Sequence, residues 1–257
     1  MLTIVIPNRD RHTHLKECLK ALVNQTMIPE RVVISDWSAD AEKTMDVAGC
    51  WEKDLNLKII SCPPEDYEIN IARNRGREQV ETPLMAVLDA DIILPPEMLK
   101  RAVSAFMVSP SSPGAGNGNA ELKPVILGAT RMDMDQSGRA GRNPWTHMLV
   151  LGSFQMFRTP DFDRIGGYNP FMKGWGADDT DFVMRLEKIG CTKVILPDEY
   201  YHLWHHQQTD QNQESRNILI ARNSWYDPVM GKWRMAEKKK SRMAILLGKI
   251  LRLVRWM

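Results

Sequence analysis

Short apolar runs alternate with amphipathic stretches along roughly the first hundred residues. Four runs are rich in Ile, Val and Leu and mostly lack polar alternation, which predicts strands that are buried on both faces. They are Leu2–Ile6, Arg31–Ser35, Leu57–Ser61 and Leu84–Leu88. Apolar residues at helical spacing and helix-start signals predict four helices between and after these strands. They are His12–Gln25, Ala41–Glu52, Ile69–Val80 and Pro96–Val108. The alternation predicts an α/β fold with a doubly wound, mainly parallel sheet flanked by helices, whose ligands bind at the carboxyl ends of the strands.

The second half of the chain has a weaker pattern. The segment Ser109–Asn119 is rich in Ser, Pro and Gly and predicts a surface loop, and Met132–Trp145 is rich in Gly and Asp and predicts irregular structure. The remaining predicted strands are Lys123–Thr130, Met148–Phe157 and Lys193–Leu196. The remaining predicted helices are Thr159–Ile165, Asp178–Ile189 and Gln211–Asn223.

The composition is typical of a globular protein. Of the 257 residues, 43% are hydrophobic and 26% are charged, which excludes global disorder and fibrous folds. The net charge of +2 is too small for nucleic-acid binding by bulk charge, so no nucleic-acid partner is expected. The four cysteines have no CxxC or metal-type spacing, which suits a reducing compartment. With no signal sequence and no apolar run of roughly 20 residues, we expect a cytoplasmic location.

Two acidic residues, Asp89 and Asp91, follow the predicted strand Leu84–Leu88. In an extended chain, residues two apart project to the same side, so both carboxylates could bind Mg²⁺ or Mn²⁺ together with a substrate phosphate. The alternative is a loop with two solvated acids, or a helix N-cap.

Two histidines, His202 and His205, could complete such a metal site with Asp91. Their rings meet on one side only if the chain turns helically there, and the segment Pro197–Tyr201 predicts a break from a strand into such a turn. The alternative is a pair of loop histidines that are hydrogen-bonded to backbone. The adjacent His206 is a competing ligand.

The segment Gly174–Asp181, with the sequence GWGADDTD, is the densest feature of the chain. An exposed Trp beside carboxylates is a common way to bind a sugar, because the indole packs on the apolar face of the ring and the acids bind its hydroxyls. One carboxylate would also serve as a general base. The alternative is an acidic helix N-terminus with Trp175 in the core.

Basic side chains are predicted near the carboxyl ends of strands, where a diphosphate would bind. Arg9 and Arg11 follow the first strand, and Arg73–Arg75 open a predicted helix. Asp36, just past the second strand, could accept hydrogen bonds from a base or a ribose. The alternatives are solvated surface charges and, for Asp36, a turn residue.

In this order, these segments resemble the nucleotide-sugar glycosyltransferases with a GT-A fold. The resemblance is to the family 2 enzymes and to the β-1,4-galactosyltransferase and chondroitin-polymerase type, and it covers about residues 1–210. The matching segments are Ile6–Arg11, Asp36, Asn70–Asn74, Asp89–Asp91, Gly166–Pro170, Gly174–Asp181 and His205. The chain departs from the family in having Asp178 where a Glu is frequent, and the segment Ser109–Asn119 has no counterpart.

The resemblance implies a role for each matching residue. The implied donor-binding residues are Pro7, Arg9, Arg11, Asp36, Asn70, Arg73, Asp89 and Asp91. The implied ligands of Mn²⁺ or Mg²⁺ are Asp91, His205 and, as a second and softer ligand, His202. The implied acceptor-binding residues are Trp175, Gly176 and Asp178, and Asp179 is the implied catalytic base.

The activity implied by the resemblance is metal-dependent transfer of a hexose or hexosamine from a UDP-sugar. The acceptor would be a hydroxyl of a glycan or lipid-linked glycan in cell-surface polysaccharide assembly, and the anomeric configuration would be inverted, with retention as the alternative. A nucleotidyltransferase would usually have a Gly-rich phosphate loop, which Pro7–Arg11 lacks. A catalytically silent, membrane-associated carbohydrate-binding or scaffolding subunit would have no need to keep Asp89, Asp91, Asp179 and His205.

We expect one GT-A domain over residues 1–235, with a nucleotide-binding half (1–108) and an acceptor and catalytic half (123–222). Residues 236–257 form a basic tail in which apolar side chains share one helical face and Arg242, Lys249, Arg252 and Arg255 lie on the other. This pattern predicts an amphipathic helix that binds an anionic membrane surface through residues 238–257, on the cytoplasmic face. The alternatives are a terminal helix that packs on the domain and an oligomer contact.

Overall fold

The computed structural model describes residues 1–107, 123–142, 152–206 and 211–236. The strands are β1 (Leu2–Asn8), β2 (Arg31–Asp36), β3 (Leu57–Ser61), β4 (Leu84–Leu88), β5 (Ile92–Ile93), β6 (Pro124–Met134), β7 (Ala140–Arg142), β8 (Phe154–Arg158), β9 (Thr192–His202), β10 (Ser224–Asp227) and β11 (Lys232–Met235). The helices are α1 (His12–Val23), α2 (Ala41–Gly49), α3 (Ile69–Arg77), α4 (Met98–Met107), α5 (Thr159–Arg164), α6 (Asp178–Lys188) and α7 (Gln211–Asn223), and Pro64–Asp66 form a 3₁₀ turn.

One large sheet has the strand order β3-β2-β1-β4-β8-β6-β9-β5, with β7 paired to β6. Strands β3, β2, β1 and β4 are parallel to one another, and β6 and β9 are parallel to each other. Strand β8 runs antiparallel between β4 and β6, and β5 is antiparallel to β9. More residues pair in the parallel ladders than in the antiparallel ones. The predicted α/β class, with a mainly parallel sheet flanked by helices, is therefore confirmed.

The central strands β1 and β4 are buried on both faces, as their apolar sequences predict. Every residue of β1 is buried, and its side chains alternate between two cores. Ile4 and Ile6 pack in the core that α1 and α4 cover, whereas Val5 packs in the core on the opposite face. That second core contains the aromatic residues Phe157, Phe162, Tyr168 and Phe182.

The first four predicted strands are confirmed, and several predicted helices end a few residues early. Helix α1 ends at Val23 rather than Gln25, because the Gln25 N–H donates to Leu22 O in a tighter turn. The prediction of irregular structure over Met132–Trp145 is wrong at its start, since β6 continues to Met134 and pairs with β7. The Asp135 carboxylate accepts backbone N–H bonds that close the turn between these strands. The Gly and Asp residues thus mark a hairpin turn.

Strand β9 is longer than predicted. It was expected to end at Leu196, with a helical turn before His202, but it continues through Pro197 to His202. The register with β6 shifts at this point, because Gly128 pairs with Leu196 and Thr130 with Glu199. The extra residue in β9 forms a bulge, and a bulge is one of the places where a sheet tolerates proline. The predicted helical turn is therefore wrong.

The hairpin of β10 and β11 was not predicted, and it is joined to the rest of the fold by a hydrogen bond from Trp233 Nε1 to Gly166 O (2.8 Å). The predicted loop Ser109–Asn119 and the tail from residue 237 onward lie outside the described residues, as does the beginning of the predicted strand Met148–Phe157. Among the described residues, no helix has the length and apolarity needed to cross a bilayer.

Candidate active site

The two acidic residues after β4 lie in a turn. The Ile92 N–H donates to Asp89 O (3.2 Å), so the chain bends between Asp89 and Asp91. The expectation that both carboxylates project to one side of an extended chain is therefore wrong. Asp89 instead contacts Arg73, and Asp91 contacts His202 and His205.

Asp91, His202 and His205 form a cluster that could hold one metal ion, since their ligand atoms lie within 4.8 Å of one another. Asp91 Oδ2 lies 3.2 Å from His205 Nε2, and Asp91 Oδ1 lies 3.7 Å from His202 Nε2. One carboxylate oxygen and two imidazole nitrogens are a donor set that fits a divalent transition metal. The cluster does not include His206, whose ring packs against Trp204.

The sheet brings these three residues together. His202, the last residue of β9, pairs with Ile92 of β5, the residue that follows Asp91. The Leu203 N–H then donates to Asp91 O (2.8 Å), and the chain bends so that His205 returns to the same carboxylate. The predicted pairing of the two histidines is thus observed, but a strand end and a bend produce it.

The electrostatics of the cluster follow from burial and from these contacts. Burial acts to raise the pKa of Asp91, but the hydrogen bond from His205 and the charges of both histidines outweigh it, so this pKa is lowered. The same hydrogen bond raises the pKa of His205. Burial lowers the pKa of His202, which favours the neutral imidazole that a metal requires.

Arg73 links the two acidic segments of the site. It lies inside α3 rather than at a helix opening, and its side chain is only 3% exposed. Its guanidinium donates to Asp178 Oδ2 (2.7 Å), Asp179 Oδ1 (2.9 Å) and Asp89 Oδ1 (3.3 Å). It also lies over the ring of Tyr168, 4.7 Å from the centroid. Arg73 therefore balances three carboxylates that come from two distant parts of the chain.

Three carboxylates around one cation leave excess negative charge in a partly buried site. Burial raises the pKa of Asp179 to about 8 against the opposing effect of Arg73, and the neighbouring Asp178 and Asp89 add to the rise. Burial likewise raises the pKa of Asp89 to about 6. Gly152 lies directly against the Asp179 carboxylate, where a β-carbon would overlap it. No local pattern in the sequence indicates this contact.

The loop before α6 presents the predicted indole. Trp175 is 51% exposed, and the flanking glycines adopt φ angles of 59° at Gly174 and 99° at Gly176, which favour glycine. Asn217 of α7 holds the loop, because its Nδ2 donates to Lys173 O and Gly176 O, both at 2.9 Å. The sequence does not reveal this role, since Asn217 is one polar residue in a polar helix. Core burial of Trp175 is excluded.

An open cavity of about 350 Å³ lies beside the cluster of Asp91, His202 and His205. It is lined by Arg9, Asp10, Arg11, Trp175, His205 and His206. The guanidinium of Arg9 also lies 4.2 Å from the ring centroid of Tyr67. The structure thus brings the two predicted arginines, the indole and one histidine to a single cleft.

Three further predicted donor-binding residues, Pro7, Asp36 and Asn70, are buried. Pro7 and Asp36 lie near the carboxyl ends of β1 and β2, and Asn70 lies in α3. Asp36 Oδ1 accepts hydrogen bonds from Asn8 Nδ2 (2.8 Å) and Ser38 Oγ (2.7 Å). Asn70 Nδ2 donates to the backbone of a neighbouring loop. Within the described part of the chain, Asp36 Oδ2 and Asn70 Oδ1 have no hydrogen-bond partner, so each keeps an unused acceptor.

Comparisons with known families and proteins identify relatives of this chain. The family described as "Glycosyl transferase family 2" matches residues 3–166, and the one described as "N-terminal domain of galactosyltransferase" matches residues 144–207. Validoxylamine A glucosyltransferase of Streptomyces hygroscopicus subsp. limoneus is 24% identical in an alignment of 251 positions, which covers 85% of this chain and 55% of that protein. The amylovoran biosynthesis glycosyltransferase AmsE of Erwinia amylovora is 25% identical in an alignment of 203 positions, which covers 76% of this chain and 72% of AmsE. The chain thus spans only about half the length of the first of these relatives.

Two solved structures illustrate the similarity of the fold. S. aureus TarS 1–349 in complex with UDP-GlcNAc superposes with a TM-score of 0.62 at 19% identity, over 80% of this chain and 59% of that one. GalNAc-T7 with UDP, GalNAc and Mn²⁺ superposes with a TM-score of 0.60 at 14% identity, over 86% of this chain and 48% of that one. The predicted GT-A fold is confirmed.

Proposed function

The chain belongs to glycosyltransferase family 2, and on that premise we propose that it transfers a hexose or hexosamine from a UDP-sugar to a hydroxyl of a glycan or lipid-linked glycan. The observation that carries this proposal is the position of the cluster of Asp91, His202 and His205 beside an arginine-lined cleft, with Asp179 joined to Asp89 through Arg73. The UDP-GlcNAc bound to TarS and the UDP bound to GalNAc-T7 support a UDP-sugar donor. The name of AmsE supports a role in polysaccharide biosynthesis.

A divalent metal ion is part of the proposal. Asp91, His202 and His205 would hold it, and two imidazole nitrogens favour Mn²⁺ over Mg²⁺, which prefers oxygen ligands. The Mn²⁺ in the GalNAc-T7 structure supports this choice. When bound, such an ion supplies positive charge that stabilises the departing diphosphate.

The donor nucleotide would lie at the carboxyl ends of the strands, between the buried oxygens of Asp36 and Asn70 and the cleft that Arg9 and Arg11 line. Asp36 Oδ2 and Asn70 Oδ1 are buried without a partner among the described residues, and they would accept hydrogen bonds from the base or the ribose, near Pro7 of β1. Arg9 and Arg11 face the cleft and would bind the diphosphate. Asp89, at the turn after β4, would approach the ribose, while Arg73 would reach the donor only through the carboxylates that it already contacts.

Asp179 is the proposed catalytic base. Its carboxylate would take the proton of the acceptor hydroxyl while that oxygen bonds to the anomeric carbon from the face opposite the nucleotide. The bond between the anomeric carbon and the diphosphate oxygen would break, and UDP would leave with the electron pair. A single displacement of this kind inverts the anomeric configuration. Arg73 holds Asp179 Oδ1, which leaves the other carboxylate oxygen for the proton.

The acceptor would lie on the loop before α6. Trp175 offers an exposed indole to the apolar face of a sugar ring. Gly176, where a β-carbon would meet Glu214, would contact the acceptor through its backbone. Asp178 is buried, and one of its oxygens is bonded to Arg73, so its proposed acceptor contact would use the other oxygen.

We further propose that residues 1–235 act as one catalytic domain and that residues 238–257 attach it to an anionic membrane surface on the cytoplasmic side. The sequence of the tail supports this, because apolar and cationic residues alternate at helical spacing. The full chain should sediment with phosphatidylglycerol vesicles but not with phosphatidylcholine vesicles, and a chain ending at Ala236 should sediment with neither. Sedimentation of the shortened chain with the anionic vesicles would contradict the proposal.

The donor site is tested by thermal shift of the full chain with UDP-, GDP-, CMP- and dTDP-sugars, each with and without Mn²⁺. A ligand at a hundredfold its Kd stabilises a fold by about 2.7 kcal/mol, or roughly 5–10 °C for a chain of this size. We expect a shift with a UDP-sugar only when Mn²⁺ is present. Asp91→Ala should abolish the shift, whereas Asp163→Ala, at an exposed carboxylate, should retain it.

Two outcomes would overturn this assignment. A shift with a GDP-, CMP- or dTDP-sugar alone would replace the donor and keep the enzyme class. The absence of any shift would favour a catalytically silent subunit.

A further inference from the structure

The sheet places an additional carboxylate behind His202. Asp133 of β6 pairs in register with His202 of β9, so the two residues lie side by side at the end of the parallel ladder. Asp133 Oδ1 is 3.5 Å from His202 Nδ1, while the other ring nitrogen, Nε2, is 3.7 Å from Asp91 Oδ1. The imidazole therefore lies between two carboxylates, one on each ring nitrogen.

A second contact holds this carboxylate in place. Arg131 precedes Asp133 by two residues on β6, so both side chains project from the same face of the strand. Arg131 Nε is 2.8 Å from Asp133 Oδ1, and Arg131 Nη1 donates to Ser153 Oγ (3.3 Å). Arg131 thus contacts the same carboxylate oxygen, Asp133 Oδ1, that lies near His202 Nδ1. Asp133 is not part of the cluster of Asp91, His202 and His205.

The chemistry of imidazole gives this arrangement a consequence. A neutral imidazole carries its proton on one nitrogen only, and a metal binds the other. A carboxylate that accepts a hydrogen bond from Nδ1–H fixes the tautomer and the ring orientation in which Nε2 is available to a metal. We propose that Asp133, anchored by Arg131, is a positioning residue that directs His202 Nε2 toward the metal site. This inference rests on the proposed metal-dependent function and adds the residue that orients one ligand.

The experiment measures the binding of Mn²⁺ alone to the full chain, by electron paramagnetic resonance of the free ion. Asp133→Ala should weaken the Mn²⁺ affinity by about 10–100-fold, and Asp133→Asn should recover part of it because an amide oxygen still accepts from Nδ1–H. Asp135→Ala is the matched control, since Asp135 lies two residues further along the same hairpin and, among the described residues, bonds only to Ser137 and Arg139 of its turn. It should leave the affinity within about twofold of the wild type.

Repeating the measurement in the His202→Ala variant separates a positioning role of Asp133 from a general loss of structure. If Asp133 acts through His202, Asp133→Ala should weaken Mn²⁺ binding by less than about twofold when His202→Ala is already present. An unchanged affinity in the single variant Asp133→Ala, or an equal loss in both backgrounds, would overturn the inference while leaving the metal site intact. Absence of Mn²⁺ binding by the wild-type chain would instead overturn the metal site itself, and the inference with it.

The tautomer offers a readout that needs no metal. Long-range ¹H–¹⁵N correlation spectra of the metal-free chain report which ring nitrogen of each of the six histidines is protonated. The signal that disappears in His202→Ala identifies His202. We expect the Nδ1–H tautomer in the wild type and a mixture in Asp133→Ala. An Nε2–H tautomer in the wild type would contradict the proposal.

Discussion

Removal of Arg73 tests the electrostatic core of the site. In Arg73→Gln, the carboxylates of Asp89, Asp178 and Asp179 lose their shared cation in a region where the arginine side chain is 3% exposed and none of the carboxylates exceeds 29%. Removing one partner of a buried ion pair destabilises a fold by about 3–5 kcal/mol, because a desolvated charge remains. For a chain of this size, that corresponds to a decrease of roughly 6–20 °C in Tm.

The matched control is Arg77→Gln on the same helix. Arg77 pairs with Asp163, whose side chain is 51% exposed, so solvent replaces the lost contact. An exposed pair contributes about 0–1 kcal/mol, and the Tm of this variant should fall by no more than about 4 °C. Differential scanning calorimetry at pH 9 measures both changes.

The pH dependence gives the refuting result. The pKa of Asp179 is raised to about 8 and that of Asp89 to about 6, so both carboxylates lose their charge as the pH falls from 9 to 5. Neutral carboxyl groups are stabilised less by the charge of Arg73 than carboxylates are. The difference in Tm between Arg73→Gln and the wild type should therefore decrease as the pH falls. A difference no larger than that of Arg77→Gln, or one independent of pH, would refute the reasoning.

Three other substitutions probe the reacting groups. Asp179→Asn should lower the transfer rate by about 10²–10⁴-fold, and wild-type kcat/KM should rise with pH to a plateau above about 8, where the base is ionised. The raised pKa of Asp179 lowers the free energy of unfolding of the wild type as the pH rises from about 4 to about 8. Asp179→Asn removes this loss, so the variant should be more stable than the wild type at pH 9 but not at pH 4. Gly152→Ala should lower kcat at least tenfold, because the new methyl group displaces the Asp179 carboxylate. Trp175→Ala should raise the KM for the acceptor and leave the Mn²⁺ affinity unchanged.

The Gly152 and Trp175 variants each have a control in the chain. Gly141→Ala adds a methyl group in open space, and Trp225→Ala removes an indole that is 48% exposed on the hairpin of β10 and β11. Both should retain wild-type kinetics. A kcat/KM that does not change between pH 6 and 9 would argue against Asp179 as the base. Full activity in Gly152→Ala would show that the Asp179 carboxylate is free to move. An unchanged acceptor KM in Trp175→Ala would remove the indole from the acceptor site.

Much of the fold could be predicted from local patterns. Strands β1 and β4 are nearly continuous apolar runs because both of their faces are covered, and such runs are visible without knowledge of their partners. The end of β9 was missed because Pro197 normally argues against a strand, and only the bulge opposite Gly128 makes it acceptable. Local sequence cannot reveal a bulge, since it depends on the register of two strands.

The sequence by itself determined the residue types and the spacing from which Asp91, His205 and Asp179 were inferred, because a metal site and a general base each require particular side chains. Only the tertiary structure decided which charges meet. Arg73 reaches Asp178 across 105 residues of chain, and Asp133 lies beside His202 because β6 and β9 pair in that register. The physical reason is that periodicity reports on neighbours within one element, whereas pKa shifts and ligand orientation arise from groups that different elements bring within a few ångströms of each other.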